Sequence, residues 1–293
     1  MASISNDCSY FPSASCDIAS LKCTNKQIII YKGQQEICSG QGCKSSVNGI
    51  AQQLYDTVLS IRNFFWLRFG ICGIDGQGEI PPLQIGWEQN DAQWICSSSL
   101  AHSCYFRFHD QYAVQPKIVA HEYMHGIITR LRPINYQNES GALNESLADV
   151  FGIAFNFARL GDTSWKIVDR DISVPVNVAH NLTPYARDPS HLNDYGGVHT
   201  NSRIPSHAFY IAVQLINEPR DSRIAQIWFL AFLDAEPNET FLGFACKTIT
   251  QAQKCCDNNF AFTVQEAWIS VGVLRQYIPL PMREQRNNHR QLT

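Results

Sequence analysis

The spacing of apolar residues changes near residue 47. Upstream, one strand stands out in a stretch rich in Ser, Cys, Gln and Gly, because 27–32 is a run of mainly β-branched and aromatic residues that stops at Gly33. Downstream, apolar side chains recur every three or four residues, which is the period of one helical face. These positions are Ile50, Leu54, Val58, Ile61 and Phe65. The pattern predicts a helix over 47–69 that ends at Gly70.

Short apolar runs alternate with turn residues from 71 to about 112, which predicts strands and loops. From Pro116 onward the helical period dominates. The predicted helices are 116–131, 140–160, 203–217, 222–233, 239–253 and 263–273. We therefore expect an α+β chain, with a β-rich N-terminal lobe over 1–132 and a mainly helical C-terminal lobe over 133–293. The polar tail from about 282 is expected to be flexible.

The composition excludes several classes of protein. Of the 293 residues, 45% are apolar and 17% are charged, which is typical of a folded chain with sizeable cores. The net charge of -3 gives no bulk attraction to nucleic acid or to anionic lipid. No apolar run approaches the roughly 18 residues of a membrane span. We expect neither nucleic acid nor membrane as a partner.

The 11 cysteines bear on the compartment in which the chain works. No C-x-x-C pair is present, which disfavours a zinc ribbon. We favour disulfides over buried free thiols, and an odd count leaves at least one thiol unpaired. The candidate pairs are Cys38 with Cys43, Cys96 with Cys104, and Cys246 with Cys255 or Cys256.

The first residues have no basic region and no apolar region of a signal peptide. Two explanations remain open. Either the chain stays inside the cell, or it is secreted and a leader or propeptide is absent from it. The cysteines favour the second explanation, so we expect a secreted protein.

The segment from Pro116 to His125 carries the strongest chemical signal. His121 and His125 are four residues apart on a predicted helix, so both imidazoles leave the same face about one turn apart. One zinc ion can take a nitrogen from each ring, and Glu122 can reach a water at the metal without binding the metal itself. This H-E-x-x-H pattern indicates a zinc hydrolase.

A zinc hydrolase needs a third protein ligand and an open fourth position. Glu145 and Asp149 share a face of the helix predicted over 140–160, for which Ser140 is the expected N-terminal cap and Gly161 lies just past the end. We predict that Glu145 is the third ligand and that Asp149 accepts the second ring N–H of a ligand histidine. Two solvated carboxylates on a surface helix are the alternative, which the apolar flanks of both residues disfavour.

The sequence resembles the thermolysin-like family of zinc metalloendopeptidases. The resemblance is carried by His121–His125, by 136–149 (YQNESGALNESLAD) and by 196–202 (GGVHTNS). The spacing matches from Pro116 to about 157 and again from Asp194 to the end, whereas residues 1–45 do not match. The resemblance implies a two-lobed metalloprotease with the active-site cleft between the lobes.

The family's zinc site implies the same ligands as the motifs. His121, His125 and Glu145 would hold Zn²⁺, with Asp149 behind a ligand histidine. Glu122 would take a proton from the attacking water and later pass it to the leaving amine.

The resemblance also implies roles further along the chain. Tyr136 and His199 would donate hydrogen bonds to the oxyanion of the tetrahedral intermediate, and Asp194 would orient the imidazole of His199. In the family, an Asn-Ala pair holds the substrate backbone as an added strand. The corresponding residues here are Asn90, Asp91 and Ala92.

This chain departs from the family at the substrate-binding residues. The Asn-Ala pair reads Asp91-Ala92, with Asn90 one residue earlier, and an ionised Asp cannot donate a hydrogen bond. The arginine with which the family clamps the substrate carbonyl has no assigned equivalent. Arg187 is the one candidate.

The acidic residues of the family's paired calcium site are mostly missing. Their expected positions hold Lys117, Asn156, Ser164 and Lys166. Because ammonium groups repel Ca²⁺, we expect no calcium there. The lysines can instead form salt bridges with Asp169 or Asp171.

Together these residues predict a secreted, monomeric zinc endopeptidase that acts on peptides or unfolded protein segments. The resemblance implies a preference for a bulky apolar residue just after the scissile bond, with Ile118 and Ile167 as candidate walls of the pocket. Two alternatives stay open, namely a related zinc exopeptidase and a zinc-stabilised binding protein without turnover.

Overall fold

The computed structural model describes residues 23, 27–40, 42–43, 49–97, 104–175, 194–217, 219 and 223–277. Its N-terminal half contains a six-stranded sheet in the order β3-β2-β1-β4-β6-β5. The strands are β1 (Ile30–Lys32), β2 (Gln35–Ser39), β3 (Gly42–Cys43), β4 (Leu83–Ile85), β5 (Ala92–Cys96) and β6 (Cys104–Phe108). A separate two-stranded hairpin consists of β7 (Lys166–Ile167) and β8 (Arg170–Asp171).

Strand β5 is one of the two edge strands of the sheet, the other being β3. It pairs antiparallel with β6 along its whole length, with Trp94 opposite Phe106. Strand β6 in turn pairs parallel with β4, and β4 pairs parallel with β1. Within the described ranges, one side of β5 therefore has no strand partner, and an extended chain can be added to a sheet at such an edge.

The rest of the described chain is mainly helical. The helices are α1 (Gly49–Phe69), α2 (Asp110–Ala113), α3 (Pro116–Leu131), α4 (Asn138–Leu160), α5 (Val198–Asn201), α6 (Arg203–Ile216), α7 (Arg223–Leu233), α8 (Phe241–Cys255) and α9 (Asn258–Ser270). This arrangement confirms the predicted α+β class, with a β-containing N-terminal region and a helical C-terminal region. None of the described helices is both long and apolar enough to cross a membrane.

The buried apolar side chains of the described residues form one cluster that includes both halves. Its centre is aromatic: the ring of Phe69 stacks on Phe229 at 4.5 Å between centroids, and Phe65 stacks on Tyr123 at 5.8 Å. Phe151 meets Phe229 edge to face. Helices α1, α3, α4 and α7 are thus joined by one core, which holds α3 and α4 in a fixed relation.

The structure corrects two predicted helix starts. Helix α4 begins at Asn138 after Gln137, so Ser140 is not its cap; the hydroxyl of Ser140 instead donates to the carbonyl oxygen of Gln137 from within the first turn. Helix α9 begins five residues before the predicted position, because the side chain of Asp257 accepts from the backbone N–H of Phe260 and caps the helix there.

The disulfides are also partly different from those predicted. Cys38–Cys43 and Cys96–Cys104 are bonded as expected. Cys246, however, is a free thiol, so its predicted bond to Cys255 or Cys256 is wrong. The described residues add one bond that was not predicted, Cys23–Cys72, which spans 49 positions of sequence. The predicted flexible tail and Arg187 lie outside the described residues.

Helices α3 and α4 approach each other closely at Gly152. A β-carbon built on Gly152 would lie 2.8 Å from the backbone oxygen of Lys117 and 3.5 Å from the backbone nitrogen of His121. Such a contact with backbone atoms cannot be relieved by a side-chain rotation. The glycine therefore permits the helix crossing that brings the first turns of α3 against α4.

We predict that Gly152→Ala lowers the free energy of unfolding by about 1–3 kcal/mol, because the extra methyl group overpacks this crossing. The measurement is urea denaturation of the metal-free protein. Gly49→Ala, at the start of α1 where a β-carbon has nothing within 4 Å, is the matched control and should be neutral or slightly stabilising. Equal stability of both variants would show that the crossing can adjust.

Candidate active site

Two histidines of α3 face each other at the centre of the site. Their Nε2 atoms lie 3.1 Å apart. Behind them, Nδ1 of His121 lies 3.0 Å from the carboxylate of Asp149, and Nδ1 of His125 lies 2.7 Å from the side-chain oxygen of Asn144. These neighbouring oxygens favour a ring proton on Nδ1, a tautomer that leaves both Nε2 atoms free to bind one metal ion.

The carboxylate of Glu145 on α4 completes this group. It is only 1% exposed, and its oxygens lie 3.4 Å from Nε2 of His125 and 3.6 Å from Nε2 of His121. Oε2 accepts no hydrogen bond from any described residue. One ligand atom from each residue lies within 4.8 Å of the others, and no further group of this kind occurs in the described ranges. Two imidazole nitrogens and one carboxylate fit zinc.

The electrostatics of the group favour a bound positive charge. Burial opposes the charged form of His125, yet the carboxylate of Glu145 outweighs it and raises the pKa of His125 to about 9. Burial likewise raises the pKa of Glu145, but the three histidines around it outweigh this effect and keep its pKa well below the usual value. Protons and a metal cation compete for such a site.

Glu122 lies on the same helix, beside the two histidines. Its Oε1 is 4.0 Å from Nε2 of His121, and its Oε2 accepts a 2.7 Å hydrogen bond from the backbone N–H of Trp94 in β5. Burial raises the pKa of Glu122, against the opposing effect of His121 and His125. The edge strand thus fixes one oxygen of a buried carboxylate and leaves the other near the centre of the site.

Tyr136 and His199 approach Glu145 from the helical half. The hydroxyl of Tyr136 donates to Oε1 of Glu145, and Nε2 of His199 lies 3.3 Å from that hydroxyl. Asp194 accepts from Nδ1 of His199 at 2.5 Å. Burial and the carboxylate of Glu145 raise the pKa of Tyr136, so its hydroxyl keeps its proton. The structure therefore brings Tyr136, His199 and Asp194 together next to Glu145.

A turn of two glycines places His199 next to Tyr136 and Glu145. Gly196 and Gly197 both have positive φ, 91° and 82°, immediately before α5. A β-carbon on Gly196 would lie 2.3 Å from the side-chain oxygen of Asn138 at the start of α4. The Gly-Gly pair seen in the sequence is thus required for the chain to turn against α4.

The predicted substrate-binding residues lie at the start of the edge strand. One carboxylate oxygen of Asp91 accepts from the backbone N–H of Ala92 at 2.8 Å, and the other accepts from the side chain of Gln93 at 2.9 Å. The side-chain oxygen of Asn90 accepts from Gln111. Asp91 therefore bonds to neighbouring residues of the edge strand, whereas the side-chain oxygen of Asn90 bonds to Gln111 in α2.

Sequence reasoning missed one residue of the site, Arg170 in β8. Its guanidinium binds both oxygens of Asp149, at 2.8 Å and 2.6 Å. Burial would raise the pKa of Asp149, but Arg170 and His121 outweigh it and keep that pKa below the usual value. No motif covers Arg170, and no local spacing relates it to α4, so the sequence carried no signal for this contact.

Lys117, one of the residues expected in place of calcium ligands, forms a salt bridge in the structure. Nζ of Lys117 lies 3.0 Å from the carboxylate of Asp162 and donates to the backbone oxygen of Lys166 at 2.8 Å. The amide of Asn156 donates to the same carboxylate. The expected partner of Lys117, Asp169 or Asp171, was wrong, because Asp162 follows α4 directly and is the acid in reach. Lys166 does lie opposite Asp171 in the β7–β8 register.

Comparisons with known proteins find similarity to metalloproteases. Residues 133–273 match the family described as "Thermolysin metallopeptidase, alpha-helical domain". The chain is 28% identical over 282 residues to "Extracellular metalloprotease" of Pectobacterium carotovorum subsp. carotovorum, covering 85% of this chain and 81% of that protein. It is 29% identical over 229 residues to "Bacillolysin" of Bacillus amyloliquefaciens, covering 73% of this chain and 42% of that protein.

A similarity to a solved structure supports the fold. The precursor of protealysin, a metalloproteinase from Serratia proteamaculans, superposes with a TM-score of 0.75 at 24% identity. The superposition covers 86% of this chain and 89% of that one. The two-part arrangement of a β-containing region and a helical region is therefore shared by both proteins.

We predict that calcium contributes little to the stability of this chain. Lys117 places an ammonium group among the oxygens that a calcium ion would need, and Ca²⁺ requires several such oxygens. The measurement is the melting temperature of the zinc-saturated protein with added calcium and with a calcium chelator too weak to strip zinc. The two values should nearly coincide. A fall of many degrees that calcium restores would show that other oxygens form a calcium site.

Proposed function

We propose that this chain, a member of the thermolysin-like family of zinc metalloendopeptidases, hydrolyses internal peptide bonds of extended peptides or unfolded protein segments. The observation that carries this proposal is the convergence of a three-residue ligand group and a separate buried carboxylate, Glu122, beside an edge strand. The ligands would be His121, His125 and Glu145. When bound there, zinc would polarise the scissile carbonyl and lower the pKa of the attacking water.

Glu122 is the proton-transfer residue in this proposal. Trp94 holds Oε2, which leaves Oε1 free to accept a proton from the attacking water and to return it to the leaving amine. Burial supports both steps, because it raises the pKa of Glu122 toward the range in which a carboxyl group can accept and then donate a proton near neutral pH.

Tyr136 and His199 are the proposed donors to the oxyanion. The hydroxyl of Tyr136 keeps its proton, as its raised pKa requires. The carboxylate of Asp194 accepts from Nδ1 of His199 and orients the ring so that Nε2 lies 3.4 Å from Glu145, at the centre of the site. Both donors lie within 3.4 Å of Glu145, so they are close to any group that occupies the centre of the site.

The edge strand β5 is the proposed docking position for the substrate backbone. An extended peptide can add to an unpaired strand edge through main-chain hydrogen bonds. The carboxylate of Asp91, at the start of that edge, can accept an N–H from the substrate but cannot replace the donor function of the family's asparagine. The family's preference for a bulky apolar residue after the scissile bond is part of the proposal, with the buried side chains of Ile118 and Ile167 as candidate walls.

Secretion and a monomeric state complete the proposal. Secretion is supported by the extracellular relative and by the disulfides of the described residues. The monomeric state stays a prediction that sedimentation of the purified chain can test.

Cleavage of an internally quenched peptide with both ends blocked tests the proposal against its alternatives. An endopeptidase cleaves this substrate, whereas an exopeptidase needs a free terminus and a binding protein gives no turnover. Cleavage only after one end is unblocked would support the exopeptidase, and zinc binding without any cleavage would support the binding protein.

We predict that Glu122→Gln retains zinc and loses roughly 10²–10⁴-fold or more of its turnover, because one residue acts as both base and acid. Zinc content is measured by elemental analysis and turnover with the blocked peptide. Glu36→Gln, an exposed acid on β2 at the far side of the sheet, is the matched control and should match the unaltered protein. Substantial activity of Glu122→Gln would assign proton transfer to another group.

A second pair of variants separates a ligand from an oxyanion donor. His125→Ala should lose zinc, because it removes one of three ligands. His199→Ala should keep zinc and lose mainly kcat, since its contact is needed only as charge develops on the substrate. Zinc content and turnover of the blocked peptide are measured for both variants. An empty metal site in His199→Ala would make His199 a ligand and contradict the assigned role.

A further inference from the structure

Arg170 connects the β7–β8 hairpin to the two acidic residues of α4. Its Nε and Nη2 atoms bind the carboxylate of Asp149 at 2.8 Å and 2.6 Å, and Nη2 also lies 3.6 Å from Oε2 of Glu145. Asp149 is fully buried, and its other contact is Nδ1 of His121. A chain of contacts thus runs from Arg170 through Asp149 to the ring of His121.

We propose that Arg170 is a positioning residue for the metal centre, which fixes Asp149 and, through it, the His121 ring, and so increases the affinity for zinc. This inference rests on the proposed function, since it assumes that His121 is a zinc ligand. The residue comes from the hairpin after α4, outside every segment that the sequence motifs identify.

The geometry supports a positioning role because the contact has two points. A guanidinium that donates two parallel hydrogen bonds fixes both the location and the plane of a carboxylate. Asp149 can then meet His121 in only one orientation. Without Arg170, the carboxylate would keep one charged or polar side-chain partner among the described residues, His121, and could rotate away from the imidazole.

A purely electrostatic role would have the opposite effect on zinc. A positive charge 3.6 Å from Glu145 repels a bound cation, so removing the charge alone should tighten zinc binding. Loss of a group that orients a ligand weakens metal affinity instead, typically by about 10–100-fold. The direction of the change in zinc affinity therefore separates the two roles.

The test is the zinc dissociation constant of four variants, measured by competition with a chromophoric chelator. We expect Arg170→Met to raise this constant by roughly 10–100-fold. The zinc dissociation constant of Arg170→Lys should lie between those of the unaltered protein and of Arg170→Met, because lysine keeps the charge but cannot form the two-point contact. In the Asp149→Asn background, Arg170→Met should cause little further change, since Arg170 acts through Asp149. Full additivity of the two changes, or an unchanged or smaller constant for Arg170→Met, would overturn the proposal.

Arg159→Gln is the matched control. Arg159 is an exposed arginine on the same helix as Asp149, ten residues or roughly 15 Å further along its axis. Its removal takes away one positive charge without touching the site, so zinc affinity should not change. Circular dichroism and the melting temperature of the metal-free proteins verify folding. If Arg170→Met does not fold, the zinc dissociation constant of Arg170→Lys is used in its place. Cleavage of the blocked peptide by the unaltered protein tests the proposed function separately, because the zinc measurement does not depend on turnover.

Discussion

The close crossing of α3 and α4 is the constraint on which the candidate site depends. Gly152 lets α4 approach the first turn of α3, so that Glu145, two turns earlier on the same face of α4, meets the imidazoles of His121 and His125. The aromatic core holds both helices against α1 and α7. Each of the two histidines then needs only a neighbouring oxygen for its Nδ1 atom, which Asp149 provides for His121 and Asn144 provides for His125.

The crossing of α3 and α4 also brings several buried carboxylates together, and their negative charge requires positive charge nearby. Glu122, Glu145 and Asp149 are all at least 94% buried, and a buried carboxylate is costly without a cation or several donors. Arg170 balances Asp149, and the histidines lower the pKa of Glu145. A divalent cation would complete this balance. Beside the site, Lys117 likewise supplies positive charge to the carboxylate of Asp162.

Local signals in the sequence predicted much of this arrangement. The four-residue spacing in α3 and α4 predicted which side chains share a helix face, because helical periodicity fixes it, and the structure brings His121, His125, Glu145 and Asp149 close together. Contacts between distant segments carry no such spacing. Arg170 with Asp149, Lys117 with Asp162 and the bond of Cys23 to Cys72 were therefore missed. The N-terminal cap of α4 was wrongly assigned to Ser140. Several polar residues lie near the start of this helix, and the local sequence does not show which of them precedes its first turn.

Two histidines and one carboxylate are expected to hold a single zinc ion, and X-ray absorption at the zinc edge of the metal-loaded protein reports its neighbours. We expect nitrogen and oxygen neighbours at about 2.0–2.2 Å, with an imidazole signature that two rings can fit. A sulfur neighbour at about 2.3 Å would contradict this expectation, because one of the cysteines would then hold the metal in place of the α3–α4 site.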